Sequence, residues 1–458
     1  MQRLIILICV ILLASCQPTP EQKIKSGTLI SDVSIIEVSS GNILEHQFIE
    51  IDSGKIKRIL TSVNDLNSYQ TVIDGKGKFL IPGLAEMHAH IPSPPVSNES
   101  LEDILFLYLS NGITTIRGML GHPSHLELKK MVAQGEVLGP RIFTSSPSLN
   151  GNTVRTPEEA KAKVTQYQQD GYDFLKIHPG ILRPVFDQIV ITANEVNIPF
   201  AGHVPVDVGI RHALNSGYSS IDHVDGFLEG LVPESAHANP RENGFFGYDF
   251  TMLADTTLIP SLVELSKNNK VWIVPTQSLF ERWFAPVSSD QLLKEPEMSY
   301  MPGTTLTNWK IRKEESMGKD TDFSEVQWER FNTIRLQLIK ALQENGHGML
   351  LGSDAPQLFN VPGFSIHHEI EGMLHAGLSP LQILQSGTMN PAIYFERQEE
   401  FGQIKEGLAA DLLLLEENPL EDMQALKKLE GVMIAGRWID RKTIDKKLEV
   451  ISSHAENQ

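Results

Sequence analysis

The chain has 458 residues, 41% of them hydrophobic and 21% charged, which predicts a globular protein with a large core. Its formal net charge of -18 at pH 7 argues against nucleic acid as a partner, because phosphate binding requires a basic face. An acidic surface favours solubility and carries no information about the fold.

Residues 1–15 have the pattern of an export signal. A single cation, Arg3, precedes an apolar run from Leu4 to Leu13 that is too short for a permanent membrane span. The run leads into the letters LASC, which resemble the lipobox of bacterial lipoproteins and imply cleavage before Cys16 and lipidation of that residue. Ordinary secretion with an unmodified Cys16 is the alternative.

The residues around Cys16 also suggest a destination. Gln17 follows the cysteine, a pattern that resembles outer-membrane sorting in a Gram-negative cell. We therefore expect an exported protein that is lipid-anchored to the periplasmic face of the outer membrane. Residues 16–27 read as a polar tether. Cys9 leaves with the signal, so the mature chain has no partner for a disulfide.

Short alternating strands with tight-turn residues occupy 28–81, and a similar β-rich segment occupies 399–445. We expect the two segments to form one composite β-sandwich. The middle region, 82–398, alternates apolar segments with amphipathic helices such as 157–170 and 325–344.

Eight apolar segments of this middle region have the character of strands, namely GLAEMHAH, ITTIRG, RIFTSS, DFLKIH, IPFAGHV, SSIDHV, VWIVPTQ and GMLLGSD. This repetition predicts an α/β fold, a (β/α)8 TIM barrel whose active residues follow the strands. A doubly wound sheet is the alternative. The aromatic-rich stretch 280–323 interrupts the rhythm and predicts a lid, a subunit contact of a homo-oligomer, or a packed insertion.

Polar side chains end several of the predicted strands. His88 and His90 are two residues apart on a strand, so both imidazoles point to one face and suit a shared transition metal. His203, His223 and Asp354 each end another strand, and in a barrel such positions converge. The sequence therefore predicts a metal site at the barrel mouth.

Lys176 poses a problem within the segment DFLKIHPG. It lies in the middle of an apolar run, where an ammonium ion is costly to bury. A salt bridge or a snorkelling side chain is the ordinary explanation.

The motifs resemble those of the amidohydrolase superfamily of metal-dependent hydrolases, from about residue 27 to 440. The segments that carry the resemblance are IPGLAEMHAH, GITTIRG, LGPRIF, DFLKIH, AGHV, IDHV, LGSD, GTMNPA and GQIKEGLAADLLLL. Within the superfamily they are most similar to the imidazolonepropionase-related branch that contains metal-dependent Xaa-Pro dipeptidases, and to ochratoxin-hydrolysing amidases.

This resemblance implies a binuclear centre of two divalent ions, expected to be zinc, and assigns its ligands. His88 and His90 bind the first ion, His203 and His223 the second, and a CO2-derived carbamate on Lys176 bridges both. Asp354 binds the first ion and shuttles protons. The implied reaction is cleavage of a C–N amide bond in a dipeptide or N-acyl amino acid by a metal-bridging hydroxide.

Other functions use related sites. Lactonase or phosphotriesterase chemistry is compatible with the same ligands. A mononuclear deaminase or cyclic amidase is less compatible, because deaminases of the superfamily carry a Glu shortly after the histidine that matches His203 and lack the lysine. A lipoprotein that only binds a ligand would lose ligand positions, and here all of them are filled.

Three further residues near the predicted mouth are candidates for substrate binding. Arg117 would hold either a substrate carboxylate or a structural one. His178 shares a strand face with Lys176 and is either a substrate contact or a core histidine. Gln277 ends the seventh predicted strand.

Overall fold

The structure, a computed structural model, describes residues 27–317 and 325–456. The predictions for the signal, for Cys16 and for the tether up to residue 26 lie outside the described residues. The strands are β1 (Thr28–Ile36), β2 (Ile43–Asp52), β3 (Lys55–Leu60), β4 (Thr71–Asp74), β5 (Phe79–Pro82), β6 (Leu84–Ala89), β7 (Ile113–Gly118), β8 (Arg141–Thr144), β9 (Leu175–Ile177), β10 (Phe200–Gly202), β11 (Ser220–Asp222), β12 (Trp272–Val274), β13 (Leu412–Leu415), β14 (Leu429–Ile434) and β15 (Arg437–Asp440).

The α-helices are α1 (Asn98–Ser110), α2 (Pro123–Ala133), α3 (Pro157–Asp170), α4 (Arg183–Val196), α5 (Ile210–Asn215), α6 (Phe227–Gly230), α7 (Ile259–Asn268), α8 (Gln277–Trp283), α9 (Ser289–Leu292), α10 (Gly303–Met317), α11 (Glu325–Asn345), α12 (Ser365–His375), α13 (Pro380–Gly387), α14 (Met389–Tyr394) and α15 (Arg441–Glu456). Short 3-10 helices cover Leu66–Ser68, Glu234–Ala236, Pro240–Glu242, Phe245–Leu253, Thr256–Leu258, Pro296–Tyr300 and Met423–Lys427.

The barrel strands are parallel and run in the order of the sequence. β6, β7 and β8 form one run, and β9 to β12 form a second. Their residues are almost entirely buried, as expected for parallel strands covered by helices on one side and filled by side chains on the other.

Isolated bridges close the gaps between the two runs. Ser145 pairs with Phe174 between β8 and β9. The segment 349–355 takes the eighth position, because Met349 pairs with Ile273 of β12 and Ala355 pairs with Ala89 of β6. The expected (β/α)8 barrel is therefore confirmed, although the last predicted strand lacks regular pairing along its length.

The two ends of the chain share one sheet of eight strands, ordered β15-β14-β13-β5-β1-β2-β3 with β4 beside β1. The ends meet where β5 runs antiparallel to β13, with Leu80 opposite Leu414. Branched side chains from both ends, among them Ile30 and Ile49, pack with these leucines in a separate hydrophobic cluster.

One element departs from the sequence analysis at the C-terminus. The β-rich segment was expected to reach 445, whereas α15 begins at Arg441. Its apolar side chains recur at helical spacing and are buried, namely Ile444, Leu448, Ile451 and Ala455. Lys447 and His454 both contact Asp103 of α1, which attaches the helix to the barrel.

The insertion folds as helices α8, α9 and α10, and its aromatic side chains Phe280, Trp283, Phe284 and Trp309 are buried. This burial favours the packed insertion among the three alternatives. Over the described residues, no helix is both long enough and apolar enough to cross a bilayer.

Candidate metal centre

The carboxyl ends of β6 and of the 349–355 segment bring three predicted ligands together. Nε2 of His90 lies 2.7 Å from Oδ1 of Asp354, and Nε2 of His88 lies 3.5 Å from the same oxygen. Each of these residues offers a ligand atom within 4.8 Å of the others. Two imidazoles and a carboxylate at this spacing match the donor set of a divalent transition metal.

His203 and His223 adjoin this group from the ends of β10 and β11. The ring centroids of the two histidines are 4.6 Å apart, and the ring of His223 is 4.5 Å from that of His88. Lys176 on β9 pairs with Ala201 of β10 and is fully buried. The structure therefore brings together all the strand-end residues that the sequence analysis assigned to the metals.

Gly202 makes room for the lysine. A Cβ atom at this position would lie 2.4 Å from the Ile177 carbonyl oxygen and 3.1 Å from Cδ of Lys176. The φ of Gly202 is +125°, which side chains rarely adopt. The glycine before His203 thus leaves room for the lysine stem on the neighbouring strand.

Several strand ends carry backbone strain. His223 and Asp354 both have a φ of 66°, and Thr276 has a φ of 47°. Non-glycine residues adopt this left-handed region only where surrounding structure fixes it, and such residues cluster at functional sites. The strained residues are therefore two candidate ligands, His223 and Asp354, and Thr276, which contacts His223.

Buried polar atoms at the centre are left without hydrogen bonds. Within the described residues, Nδ1 and Nε2 of His88, Nζ of Lys176 and Oδ2 of Asp222 have no hydrogen-bond partner. Buried polar groups are normally paired, and each exception requires an explanation such as a bound ion, an ordered water, strain or a catalytic role. The imidazole nitrogens and the carboxylate oxygen among these atoms are of the types that bind divalent cations.

Burial sets the protonation of the histidines. It lowers the pKa of His88, His203 and His223 well below the usual value, and the Lys176 charge acts in the same direction. The imidazoles are therefore neutral, which is the form that binds metals. Burial also lowers the pKa of Lys176 to about 8.

A second layer of groups orients the histidines. Oδ2 of Asp225 lies 3.0 Å from Nδ1 of His203, and Oγ1 of Thr276 lies 2.8 Å from Nδ1 of His223. Because Nδ1 of each ring already contacts a side-chain oxygen, Nε2 is the nitrogen that remains to bind a metal, as in carboxylate–histidine–metal arrangements. The sequence analysis did not identify these partners, although Asp225 lies only two residues after His223.

Asp222 is the most closely involved residue that the sequence analysis missed. Its Oδ2 lies 3.3 Å from Nδ1 of His88 and 3.8 Å from Nζ of Lys176. Burial raises the pKa of this carboxyl, but Arg117 and Lys176 outweigh burial and the pKa is lowered overall. The available signal was an acidic residue directly before the strand-end histidine in SSIDHV.

Arg117 stabilises the fold rather than contacting a substrate. The guanidinium of Arg117 is fully buried and donates to Asp222, Ser220, Tyr394 and the Met87 carbonyl. Of the two predicted alternatives for Arg117, its contact with Asp222 favours a structural carboxylate over a substrate carboxylate.

The Gln277 side chain is equally buried and already bonded. It donates to Glu281 and Asn332, and its oxygen accepts from Nε of Arg335 at 3.0 Å. These contacts direct the amide into the packing between helices rather than to the barrel mouth.

His178 lies at the mouth itself. Its ring stacks on that of His203 with centroids 5.0 Å apart, and its Nδ1 lies 2.6 Å from Oγ of Ser148. Burial lowers its pKa strongly, with Lys176 acting in the same direction, so the imidazole is neutral. The residue is half-buried beside the candidate ligand His203, a position from which it can contact a substrate.

A second group with metal-compatible spacing lies in and beside the insertion. It consists of Glu295, Glu297 and His368. Here the Arg282 guanidinium already supplies positive charge, 2.7 Å from Glu295 and 3.9 Å from Glu297. We interpret this group as an ion-pair network of the insertion.

A model of the Amidohydrolase family matches residues 300–439, a range that contains Asp354 but not the other candidate ligands. Ochratoxinase from Aspergillus niger is 22% identical over 421 residues, covering 77% of this chain and 73% of the relative. Among solved structures, a bottromycin amidohydrolase is 21% identical with a TM-score of 0.71, covering 93% of this chain and 90% of that chain.

A Xaa-Pro dipeptidase with bound methionine is 19% identical with a TM-score of 0.65, covering 91% of this chain and 100% of that chain. At these identities the structural likeness establishes the shared fold.

Proposed function

We propose that this chain uses divalent metals to hydrolyse the amide bond of a small substrate. The family match and the fold support an amidohydrolase that acts on carbon–nitrogen bonds. The observation that carries this proposal is the convergence of His88, His90, Lys176, His203, His223 and Asp354. Buried donor atoms of this group lack partners, which is costly unless cations bind there.

The chain offers ligands for two ions. His88, His90 and Asp354 would hold the first ion, and His203 and His223 the second. When bound, such ions polarise a carbonyl group and lower the pKa of a coordinated water. Two ions require an anionic group that reaches both, and we propose that a modified Lys176 supplies it.

Unmodified Lys176 cannot serve as a ligand, because an ammonium group has three donors and no acceptor. Its amine nitrogen must first form a bond with the carbon of CO2 and release a proton, which leaves a carbamate anion with two oxygens. The neutral amine performs this attack. A pKa of about 8 leaves a fraction of Lys176 neutral near physiological pH, so burial favours the modification.

Asp354 is the residue placed to move protons. Its carboxylate lies beside His90 and His88 at the mouth of the barrel. As a general base it accepts a proton from the attacking water, and as a general acid it returns that proton to the leaving nitrogen. The C–N bond then breaks to give a free amine and a carboxylic acid.

We further propose that the substrate is a dipeptide or an N-acyl amino acid. Solved structures with this fold include a Xaa-Pro dipeptidase with methionine in its active site and a bottromycin amidohydrolase. Hydrolysis of dipeptides, N-acyl amino acids and lactones should be measured with zinc-loaded protein treated with bicarbonate. We expect amide cleavage, and activity confined to lactones would replace this proposal with a lactonase.

The proposed location follows from the N-terminal residues, which lie outside the described part. We propose that Cys16 carries lipid and anchors the enzyme to the outer membrane of a Gram-negative cell. Labelled palmitate fed to expressing cells should enter the wild-type protein and be absent from Cys16→Ala. Equal labelling of both proteins would exclude lipidation at this residue.

A further inference from the structure

An aromatic wall lies beside the candidate metal centre. Phe246, from the long connection after β11, brings its ring centroid within 5.3 Å of that of His223 and 5.8 Å of that of His203. The same ring makes edge contacts with Phe280 at 4.9 Å and Trp283 at 6.3 Å. Insertion and connection therefore meet at Phe246, directly beside two candidate ligands.

The backbone at Phe246 is strained. Its φ and ψ are 54° and 36°, and Gly247 follows with another left-handed conformation. A bulky residue avoids this region unless its surroundings impose it. A Cβ at position 247 would lie 2.9 Å from the Glu229 carboxylate, and the φ of +75° is one that side chains rarely adopt, so glycine is favoured next to the phenylalanine.

Anchors on both sides hold the strained turn in place. Before it, Nδ2 of Asn243 donates to Glu229 at 2.7 Å. After it, Arg330 of α11 donates to the carbonyl oxygens of Thr251 and Ala254 at 3.1 and 2.8 Å. These hydrogen bonds fix the turn and so hold the Phe246 ring beside the candidate ligands, which is the pattern expected where backbone strain serves function.

Polar and apolar groups both adjoin His203. His178 stacks on His203 and bonds Ser148, whereas Phe246 contributes an apolar ring beside the same histidine. Phe246 is half-buried, so it retains some accessible surface beside the candidate ligands. A substrate at the metals would therefore meet both imidazole and hydroxyl groups and an aromatic ring.

From this arrangement we infer that Phe246 determines substrate specificity. Its ring forms the wall against which a large apolar side chain, adjoining the scissile amide, is buried. The inference rests on the amide-hydrolase function proposed above and adds the chemical class of side chain that the enzyme prefers.

Matched substrates test this role. N-acetyl-leucine and N-acetyl-phenylalanine present apolar side chains, whereas N-acetyl-glycine lacks one. We expect the wild type to favour the apolar pair. Phe246→Ala should lower the ratio of kcat/KM for that pair to kcat/KM for N-acetyl-glycine by about 10- to 100-fold. Phe246→Leu should restore most of the preference.

Two controls separate the role of the ring from damage to the fold. Phe246→Asn suits the left-handed backbone and should lose the preference while the protein stays folded. Phe245→Ala removes the adjacent ring, which is 58% exposed, and should keep the preference. Equal losses on all three substrates, or the same loss from Phe245→Ala, would overturn the inference.

A binding measurement distinguishes this inference from the function on which it rests. Calorimetric titration of the zinc-loaded wild type with leucine and glycine should show tighter binding of leucine, and Phe246→Ala should abolish the difference. If the wild type cleaves no amide but still prefers leucine, the proposed function fails and the apolar wall stands. If it cleaves amides without any side-chain preference in rate or binding, the wall fails and the function stands.

Discussion

Two regions of the molecule bury a lysine beside a histidine–carboxylate group. At the barrel mouth, Lys176 is 0% exposed, and in the insertion Lys313 is 3% exposed. Burial lowers the pKa of each amine to about 8. Judged by burial or pKa alone, the two regions are equivalent candidates for a functional site.

The two lysine amines differ in their hydrogen bonding. Lys313 donates to the carbonyl oxygens of Arg282, Trp283 and Ala285, which end α8. Among the described residues, Nζ of Lys176 has no hydrogen-bond partner, and the carboxylate that lies 3.8 Å from it, that of Asp222, already bonds Arg117. The amine of Lys313 is thus fully bonded, whereas the amine of Lys176 has unmet bonding capacity that a ligand can fill. The contrast concerns the two amines, because Arg282, Trp283 and Glu295 of the insertion also carry buried polar atoms without a hydrogen-bond partner in the described part of the chain.

The largest effect should come from replacing Lys176. In Lys176→Ala the proposed carbamate cannot form, so we expect the divalent metal content to fall from the proposed two ions per chain to one or fewer. Amide hydrolysis should decrease by about 10³-fold or more, because the mutant loses both an ion and its bridging ligand. Elemental analysis of gel-filtered protein and steady-state kinetics measure the two losses.

Lys313→Met serves as the matched control, since it removes the other buried amine. Its metal content should equal that of the wild type. An unchanged metal content in Lys176→Ala would show that Lys176 is a structural cation like Lys313 and would remove the basis for a binuclear centre.

Asp222→Asn should have the next largest effect. The carboxylate contacts Nδ1 of His88, so its loss removes the group that orients this ligand. We expect zinc affinity to fall by about 10- to 100-fold, as for other groups that orient metal-binding histidines. Competition with a fluorescent chelator measures the affinity, and an unchanged value would limit Asp222 to pairing with Arg117.

Much of the fold and of the candidate site follows from the sequence. The barrel repeat places residues at strand ends, and residue type then selects His88, His90, His203, His223 and Asp354 as polar groups at one mouth. The predicted fold is confirmed by the structure and by its likeness to solved structures. The predicted enzyme class, a hydrolase of carbon–nitrogen bonds, agrees with the family match and with the relatives found by sequence.

What the sequence does not reveal depends on contacts between distant elements. Arg335 reaches Gln277 from α11 and diverts it from the mouth, and no local pattern links the two positions. Phe246 lies in a connection of irregular turns, where neither strand nor helix periodicity predicts the direction of a side chain. Pairwise packing in three dimensions settles such roles.

A smaller effect concerns the protonation of Lys313. Burial, reinforced by Arg282, lowers its pKa from 10.5 to about 8. Between these values the unfolded chain binds more protons than the folded one, so the free energy of unfolding should rise with pH. The difference between the wild type and Lys313→Met should grow by up to about 3 kcal/mol across this window.

Urea unfolding of both proteins at pH 7.5 and pH 10 measures this difference. If it does not change with pH, the three carbonyl oxygens hold Lys313 as an ammonium ion throughout. The insertion would then differ from the barrel mouth even more, because its lysine would remain a cation.

The smallest effect on catalysis should come from the ion-pair network of the insertion. Glu297→Gln weakens its contacts with His368 and Arg282, so a stability loss of about 1 kcal/mol is expected for a partly buried pair. Metal content and kcat/KM should stay at wild-type values, since Arg282 rather than a metal neutralises the carboxylates. A decrease in bound metal in Glu297→Gln would show that carboxylates beside a buried guanidinium can still bind a cation, and the bonding of the buried lysine would then no longer tell which region binds metal.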